Sequence, residues 1–320
     1  MAAAGKAMAD KIVRIGGASG FWGESAVAMP QFLEAGGVDY IVFDYLAEIT
    51  MSILARARAA DPGLGYATDF VSAMLGPHLA VIAAQKIRII SNAGGVNPLA
   101  CAAAIRRLVS EAGLDLRVAV VTGDDLLHQA STLATAQPKE MFSGASFPDP
   151  AAIASINAYL GAFPIARALD AGADIVITGR VVDSAVTLGA CIHEFDWQRD
   201  QLDELAGASL AGHILECTGQ ATGGNFTDWE LSADTMHEAG YPIAEIAANG
   251  EFTCTKPDNT GGLISVGTVS EQMLYEIGDP QAYVLPDVVC DFSQVSLEQT
   301  GPNRVHVAGA RGRDAPDNYK

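Results

Sequence analysis

The sequence has 320 residues, of which 38 are acidic and 19 are basic, so its formal net charge at pH 7 is −19. This balance excludes the basic surface that binding to a nucleic-acid backbone requires, and it disfavours binding to an anionic membrane. Hydrophobic residues make up 49% of the chain, which is enough for one large α/β domain or for two fused layers.

The N-terminal segment and the cysteines indicate a cytoplasmic protein. Residues 1–10 lack the apolar stretch of a secretory signal, and we predict a disordered leader there. The sequence has no run of about 18 apolar residues, so no transmembrane helix is predicted. Its five cysteines contain no CxxC pair, which is typical of reduced and mostly buried thiols in a cytosolic protein.

The first predicted element is a strand that runs into a glycine-rich loop. The apolar run over residues 12–15 ends at a loop of small residues that contains Gly16, Gly17, Ser19 and Gly20. Glycines let backbone N–H groups approach a ligand closely, and the helical pattern that begins near Ser25 would favour an anion at its N-terminus. The spacing matches neither a dinucleotide fingerprint nor a P-loop. The segment is either a binding loop of unassigned specificity or a tight turn without a ligand.

Four further strands with intervening helices are predicted in chain order. The strands cover residues 39–44, 87–92, 116–121 and 173–178. The helices cover residues 27–35, 45–56, 69–84 with a break at Gly76-Pro77, 99–112, and 153–171 with a break at Pro164. This alternation predicts parallel βαβ units. Residues 128–150 have no clear period, so we predict a long loop or lid there.

The character of the sequence changes in its C-terminal third. A helix is predicted over residues 202–216, and the later segments are shorter, with short strands at 264–267 and 305–307. We therefore predict an α/β fold with a three-layer, Rossmann- or flavodoxin-like core and a mostly parallel sheet over residues 11–200. An α+β extension is predicted over residues 201–320. No closing element is visible at the end, so we expect this extension to be truncated at its C-terminus.

The ends of the five predicted parallel strands carry glycines or polar residues. Ligands of open parallel sheets bind beyond the carboxyl ends of the strands, so these loops are candidates for one binding site. The candidate ligand-binding residues are Gly16, Gly17, Ser19, Gly20, Gly94, Gly95, Asn97 and Asp124, together with Gly223, Gly224, Asn225 and Lys256 in later polar loops. For each residue the alternative is ordinary turn chemistry or, for Lys256, a solvated surface position.

Asp44 and Glu48 follow the second predicted strand and are four residues apart, so a helix would place them on one face. They could act as general acid and base, or they could bind Mg²⁺ together with Asp124, because hard cations prefer oxygen ligands. In the alternative, Asp44 caps the helix and Glu48 interacts with the helix dipole. No metal is predicted firmly from this pattern.

Arg180, Asp183 and Asn92 are further candidate catalytic residues at strand ends. The Arg180 guanidinium suits bidentate recognition of a carboxylate or phosphate, and Asp183 could be a base. The alternative is an internal Arg–Asp pair in which Asp183 is the N-cap of a helix. The Asn92 and Asn97 amides could polarise a carbonyl in the manner of an oxyanion hole, or they could shape a tight loop that starts a helix.

Cysteine and histidine patterns support only a weak hydrolase hypothesis. His213 lies four residues before Cys217 and could serve as the base for a nucleophilic thiol, but a lone cysteine is more often a small buried hydrophobe. No HExxH or HxxxH spacing indicates a zinc hydrolase. No GxSxG nucleophile elbow is present either. A hydrolase that depends on a cysteine or a metal is therefore the weakest of the functional hypotheses.

Seven motifs taken together resemble the acyclic terpene utilisation (AtuA-type) family. They are GGASGFWGE at 16–24, DYLAE at 44–48, NAGGVNP at 92–98, GRVVD at 179–183, GHILEC at 212–217, TGGN at 222–225 and KPDNTGG at 256–262. The resemblance covers nearly the whole chain. It implies a role in the degradation of acyclic terpenes such as citronellol and geraniol, through branched acyl-CoA intermediates, but it brings no catalytic residues with it.

The leading hypothesis is an enzyme that acts on a branched acyl-CoA or a related carboxylate by lyase- or hydratase-type acid–base chemistry. Asp44, Glu48 or Asp183 would move the proton, and backbone amides of the glycine loops would hold a phosphate or an oxyanion. The CoA thioester would be a substrate, and no cofactor is firmly predicted. The competing hypothesis is a non-catalytic subunit of a larger complex that binds CoA or a nucleotide.

The resemblance also implies partners. Members of the family usually continue past this C-terminus, often into a small ferredoxin-like module. We therefore expect a homo-oligomer or a complex with such a module, besides the small-molecule substrate. Neither a nucleic acid nor a membrane is an expected partner.

Overall fold

The computed structural model describes residues 11–24 and 26–317, so the predicted leader at 1–10 lies outside the described residues. The strands are β1 (Ile12–Ser19), β2 (Tyr40–Phe43), β3 (Arg88–Ser91), β4 (Val118–Val121), β5 (Ile175–Thr178), β6 (Ile243–Ala247), β7 (Phe252–Thr255), β8 (Tyr283–Val284), β9 (Val289–Asp291), β10 (Ser296–Gly301), β11 (Arg304–Ala308) and β12 (Arg311–Arg313). The α-helices are α1 (Ala28–Ala35), α2 (Glu48–Ala60), α3 (Leu79–Gln85), α4 (Pro98–Glu111), α5 (Ala130–Ala136), α6 (Phe163–Asp170), α7 (Ala185–Phe195), α8 (Leu202–Glu216) and α9 (Val266–Leu274).

One nine-stranded mixed sheet organises the fold, in the order β10-β11-β7-β6-β1-β2-β3-β5-β4. The strands from β1 to β4 along this order pair in parallel. Their order differs from the orders 3-2-1-4-5-6 and 2-1-3-4-5 of Rossmann and flavodoxin-like sheets. On the other side of β1, the strands β6, β7, β11 and β10 pair antiparallel. The parallel and antiparallel halves therefore meet at β1, where Ile15 pairs with both Tyr40 and Ala244.

The central strands are buried on both faces. In β2, Tyr40 and Val42 belong to one hydrophobic cluster, whereas Ile41 and Phe43 belong to a second. Because successive side chains of a strand point to opposite faces, the two clusters lie on opposite sides of the sheet. Burial on both faces explains why the parallel strands read as continuous apolar runs in the sequence.

Helix α8 is buried over most of its length. Every residue from Leu205 to Leu215 is buried, including His213. The helix packs against β1, β6, α7 and the small sheet β12-β9-β8. A helix that is apolar on all sides needs such partners around it. Its last residue, Glu216, is thereby fixed beside the end of β1.

The structure confirms the mixed α/β class and the parallel pairing of the five predicted N-terminal strands. It also shows four antiparallel strands in the same sheet. The three-layer description, the division at residue 200 and the truncation of an extension stay predictions. No helix in 11–24 or 26–317 combines the length and the apolar character that crossing a bilayer requires.

Several predicted helix boundaries were wrong, each for a local reason. Pro164 does not break a helix over 153–171, because it lies in the first turn of α6, where its missing N–H costs no hydrogen bond. Residues 264–267 do not form a strand, because Ser265 and Thr268 make a capping box that starts α9. Part of the predicted loop 128–150 is helical, as α5.

Helix α2 begins at Glu48 and not at Tyr45 as predicted. The backbone N–H of Tyr45 donates to Asn92 Oδ1 at 2.7 Å, and that of Leu46 donates to Asp44 Oδ1 at 3.3 Å. These two bonds hold the chain after β2 in a loop. Asp44 and Glu48 therefore do not share a helical face.

Candidate carboxylate site

Three carboxylates converge beyond the C-terminal ends of the parallel strands. Asp44 directly follows β2, Asp183 lies in the loop between β5 and α7, and Glu216 is the last residue of α8. One oxygen of each side chain lies within 4.8 Å of one oxygen of each other side chain. We call Asp44, Asp183 and Glu216 the carboxylate cluster.

Each member of the carboxylate cluster is held by one neighbouring donor side chain. Asn92 Nδ2 donates to Asp44 Oδ1 in a short hydrogen bond. Arg180 Nη1 donates to Asp183 Oδ1 at 2.6 Å. His213 Nδ1 lies 2.7 Å from Glu216 Oε1. These side-chain bonds all engage one oxygen of their carboxylate, and the buried Glu216 Oε2 has no hydrogen-bond partner among the described residues.

The sheet places these donors. Parallel pairing joins Phe43 of β2 to Ser91 of β3, so the next residues, Asp44 and Asn92, are also neighbours. Arg180 follows β5, and its guanidinium carbon lies 4.2 Å from the centre of the Tyr159 ring. That stacking and the hydrogen bond to Asp183 fix the buried guanidinium.

Two glycines of the first loop bring β1 against the end of α8. A Cβ atom on Gly17 would lie 2.6 Å from Leu215 O, and one on Gly20 would overlap Glu216 O. Only glycine permits this close approach of two backbones. The glycine-rich loop thus packs directly beside Glu216, whatever ligand it binds.

A cavity of about 420 Å³ opens onto the carboxylate cluster. It is lined by Gly20, Phe21, Glu24, Asp44, Leu46, Ala47, Asp183, Glu216, Cys217, Thr218, Gly219, Gln220, Gly224, Tyr275 and Glu276. Glu24 links the glycine-rich loop after β1 to the segment after α8. It accepts hydrogen bonds from the Gly20 N–H at 2.6 Å and from Thr218 Oγ1 at 2.7 Å. The cavity therefore combines an acidic centre with apolar wall residues.

Burial and mutual repulsion shape the charge of the carboxylate cluster. Burial raises the pKa of Asp44 well above its ordinary value, and the nearby Asp183 and Glu216 carboxylates raise it further. Burial also raises the pKa of Glu216, although His213 opposes that shift. Burial alone would lower the pKa of His213, but the Glu216 carboxylate and the backbone of Gln272 and Met273 together oppose burial, so this pKa is raised. The Arg180 guanidinium acts in the opposite direction and lowers the pKa of Asp44.

Four predicted catalytic residues meet at this site: Asp44, Asp183, Arg180 and Asn92. Glu48 is exposed, and it accepts a hydrogen bond from the Tyr159 hydroxyl at 2.6 Å. Neither Asp44 nor Asp183 caps a helix, since the N-cap positions of α2 and α7 are Ala47 and Ser184 and have no side-chain cap.

The predicted Mg²⁺ ligands Asp44, Glu48 and Asp124 are not brought together. Asp124 Oδ2 accepts hydrogen bonds from the Arg180 N–H at 2.7 Å and from Asn157 Nδ2 at 2.8 Å. It thus supports the loop that carries Arg180. Within the part of the chain that the structure describes, the grouping that could hold a cation is the carboxylate cluster.

The other predicted binding residues are distributed around the fold. Gly20 and Gly224 line the cavity, whereas Gly16 packs on the Phe32 ring and Ser19 Oγ donates to Phe21 O at 3.0 Å. Asn97 Nδ2 donates to Pro62 O at 2.9 Å and to Leu64 O at 2.7 Å, outside the cavity.

The remaining predicted binding residues are not among those that line the cavity. Gly94 and Gly95 pack against Pro98 and Leu54, and Gly223 packs against Ser232. Asn225 is exposed. Lys256 lines a separate cavity of about 560 Å³. Its Nζ donates to Thr260 O at 2.6 Å, so the ammonium group is already hydrogen-bonded to its own loop.

Sequence reasoning missed Glu216. The available signal was the pair His213 and Glu216, two polar residues three apart at the end of an otherwise apolar helix. Cys217 does line the cavity, but burial raises its thiol pKa to about 12, which keeps the thiol protonated and weakly nucleophilic. His213 contacts Glu216, as its Nδ1–Oε1 distance of 2.7 Å shows.

The chain matches one known family over almost its full length. The model described as "Acyclic terpene utilisation family protein AtuA" covers residues 13–320. No curated protein and no solved structure matches the chain.

Proposed function

Because the chain belongs to the acyclic terpene utilisation family, we propose that it is an enzyme of acyclic terpene or branched-chain acid breakdown. Its substrate is a branched acyl-CoA or the corresponding carboxylate. Its reaction is of the lyase or hydratase type, in which a proton is removed from or added to a carbon near the acyl carbonyl. The carboxylate cluster is the chemical centre.

The observation that carries this proposal is the position of the carboxylate cluster at the cavity. Ligands of parallel sheets bind beyond the C-terminal strand ends, where Asp44 and Asp183 lie. Acid–base reactions need groups that exchange protons within hydrogen-bond reach of the substrate. Asp183 reaches the cavity with 34% of its side chain exposed, while Arg180 holds it in one orientation.

The wall of the cavity supports a branched hydrocarbon substrate. Phe21 is 58% exposed, although large hydrophobic side chains are usually buried. Leu46, Ala47 and Tyr275 line the same cavity. An apolar wall beside an acidic centre suits a molecule with an alkyl chain at one end and a carbonyl at the other.

Arg180 is a positioning residue in this proposal. Its Nη1 donates to Asp183 Oδ1 and to Val181 O, and Tyr159 covers one guanidinium face. A guanidinium that is buried in this way orients Asp183 and does not serve as a clamp for a CoA phosphate.

Mass spectrometry of branched acyl-CoA esters incubated with the protein tests the proposal. We expect a change in mass that corresponds to hydration, dehydration or cleavage. Asp183→Asn should slow that reaction about a hundredfold or more, the usual contribution of a general acid–base group. Asp234→Asn, at an exposed position, is the matched control and should leave the rate unchanged.

Two outcomes contradict the proposal. If acyl-CoA esters raise the melting temperature but never react, the protein is a non-catalytic binding subunit. If they react equally well with the Asp183→Asn variant, the carboxylate cluster is not the chemical centre.

A further inference from the structure

We infer that the carboxylate cluster binds one divalent cation that prefers oxygen ligands, through Asp44, Asp183 and Glu216. The role given below to the cation in the reaction rests on the proposed function. The binding of the cation does not, because it follows from the geometry of the three side chains.

The spacing of the carboxylates suits a single ion. One oxygen from each side chain lies within 4.8 Å of the others. Oxygen ligands lie about 2.0–2.6 Å from Mg²⁺ or Ca²⁺, so two ligands of one ion are at most about 5 Å apart. Small rotations of the three side chains are enough to bring their oxygens around one ion.

Glu216 gives a second and independent observation. Its side chain is only 7% exposed, yet Oε2 accepts no hydrogen bond from any residue in 11–24 or 26–317. A buried carboxylate oxygen without a partner is costly, and native proteins rarely leave one unsatisfied. A cation held by the carboxylate cluster supplies the missing partner.

The donors behind the cluster match the outer partners of a metal site. Carboxylates that ligate a metal are themselves held by hydrogen bonds, which fix their orientation. Here Asn92, Arg180 and His213 each hold one oxygen of one carboxylate. The bonds to Asp183 and Glu216 leave the second oxygen of each carboxylate for the ion.

The cation would face the cavity and the substrate. Three protein ligands leave positions on a six-coordinate ion for water and for the acyl carbonyl oxygen. In the proposed reaction the C–H bond beside the carbonyl would break and its proton would pass to the Asp183 carboxylate, the acid–base group of the proposed function. The electron pair of that bond would form a C=C bond, and the carbonyl π pair would move to the carbonyl oxygen. A cation held by Asp44, Asp183 and Glu216 would stabilise the negative charge that forms on that oxygen.

Binding is tested with Mn²⁺ as the probe and without substrate. The full chain is first freed of metal by a chelator, and free Mn²⁺ is then followed by electron paramagnetic resonance during a titration. We expect one site per chain, from which Mg²⁺ or Ca²⁺ displaces Mn²⁺. Glu216→Gln and Asp44→Asn should each weaken Mn²⁺ binding about tenfold or more, since even loss of an outer partner has that effect.

Asp287→Asn is the matched control, because it removes a different buried carboxylate that the cluster does not include. It should bind Mn²⁺ like the wild type, and circular dichroism should show that all variants are folded. If the folded wild type binds no Mn²⁺, or if the Glu216→Gln and Asp44→Asn variants bind it unchanged, the cation site is wrong. Turnover of acyl-CoA without Mn²⁺ binding would reject the cation alone, whereas binding without turnover would reject the proposed function alone.

Discussion

At the residue scale, Asn92 joins the backbone after β2 to the carboxylate cluster. The residue is fully buried. Its Oδ1 accepts from the Tyr45 N–H at 2.7 Å, and its Nδ2 donates to Asp44 Oδ1. One amide therefore satisfies a buried backbone donor and a buried carboxylate together.

Asn92→Ala should lower the free energy of unfolding by about 1–3 kcal/mol, because it leaves the Tyr45 N–H and Asp44 without a partner. Urea unfolding at neutral pH measures the change. Asn225→Ala is the control, since Asn225 is exposed, and its effect should stay within about 0.5 kcal/mol. Equal effects of the two substitutions would show that the Asn92 bridge contributes nothing to stability.

Asp287 gives a pH-dependent contribution to stability. Its Oδ2 accepts from the Ala162 N–H at 2.6 Å, and burial raises its pKa above the ordinary value of 3.8. The unfolded chain thus ionises Asp287 at a lower pH than the folded protein does. The stability contributed by the protonated form is therefore lost as the pH rises through the raised folded pKa.

Asp287→Asn should accordingly lose less stability than the wild type as the pH rises above about 4 and through the raised folded pKa. The difference should be about 1.4 kcal/mol for each unit by which folding raises the pKa. Urea unfolding at a series of pH values gives both curves. Parallel curves for the two proteins would refute this contribution of Asp287.

At the element scale, the loop after β1 and the end of α8 depend on each other. A Cβ on Gly20 would meet Glu216 O and lie 3.1 Å from the Cys217 Cα, and both are backbone atoms that a rotamer change cannot move away. The loop and the helix end must separate if a side chain is added here. Glu216 would move with them.

Gly20→Ala should therefore destabilise the protein by about 1–3 kcal/mol, and it should weaken Mn²⁺ binding. Gly219→Ala is the control in the same cavity, because a Cβ there meets nothing within 4 Å. Its melting temperature should match or slightly exceed that of the wild type. Differential scanning calorimetry compares them, and a Gly20→Ala protein as stable as the control would disprove the close packing.

An element could be predicted from the sequence when its burial gave a clear apolar pattern. It could not be predicted when local hydrogen bonds decided its structure. The strands β2, β3 and β5 are buried on both faces, so their apolar runs were readable in the sequence. The start of helix α9 was not predicted, because the capping box of Ser265 and Thr268 overrides the strand-like pattern of residues 264–267. The segment before α6 was predicted as helix, since nothing local showed that Pro164 begins the helix.

The site was predictable only in part for a related reason. Asp44, Asn92 and Asp183 follow parallel strands, and such strand ends meet at one edge of the sheet. Glu216 comes from the end of α8, and its place beside Asp44 depends on the packing of that helix against β1. Such contacts between distant segments leave no local pattern. The wrong pairing of Asp44 with Glu48 arose because hydrogen bonds delay the start of α2.

At the scale of the whole molecule, one sheet runs through both parts of the chain. Strand β1 pairs with β2 on one side and with β6 on the other. Helix α8 packs against both β1 and β6. Strands from before and after residue 200 therefore belong to one sheet.

A fragment that ends at residue 200 should not unfold cooperatively, because β1 would lose its β6 neighbour and the apolar side chains under α8 would be exposed to water. Far-ultraviolet circular dichroism during urea unfolding measures this, with the full chain as the control. We expect a gradual change without a transition. A sharp transition in the fragment would instead support two separate domains, divided near residue 200.

The position of β1 also has a consequence for the order in which the protein folds during synthesis. Its residue Ile15 pairs with Ala244, so the ribosome must release most of the chain before the first strand acquires its second neighbour. Contacts of such long sequence separation slow folding, because the intervening chain must be ordered first. The carboxylate cluster also cannot form before Glu216 has left the ribosome. A chain that ends before Glu216 therefore lacks one member of the carboxylate cluster, and one that ends before β6 leaves β1 without its second neighbour.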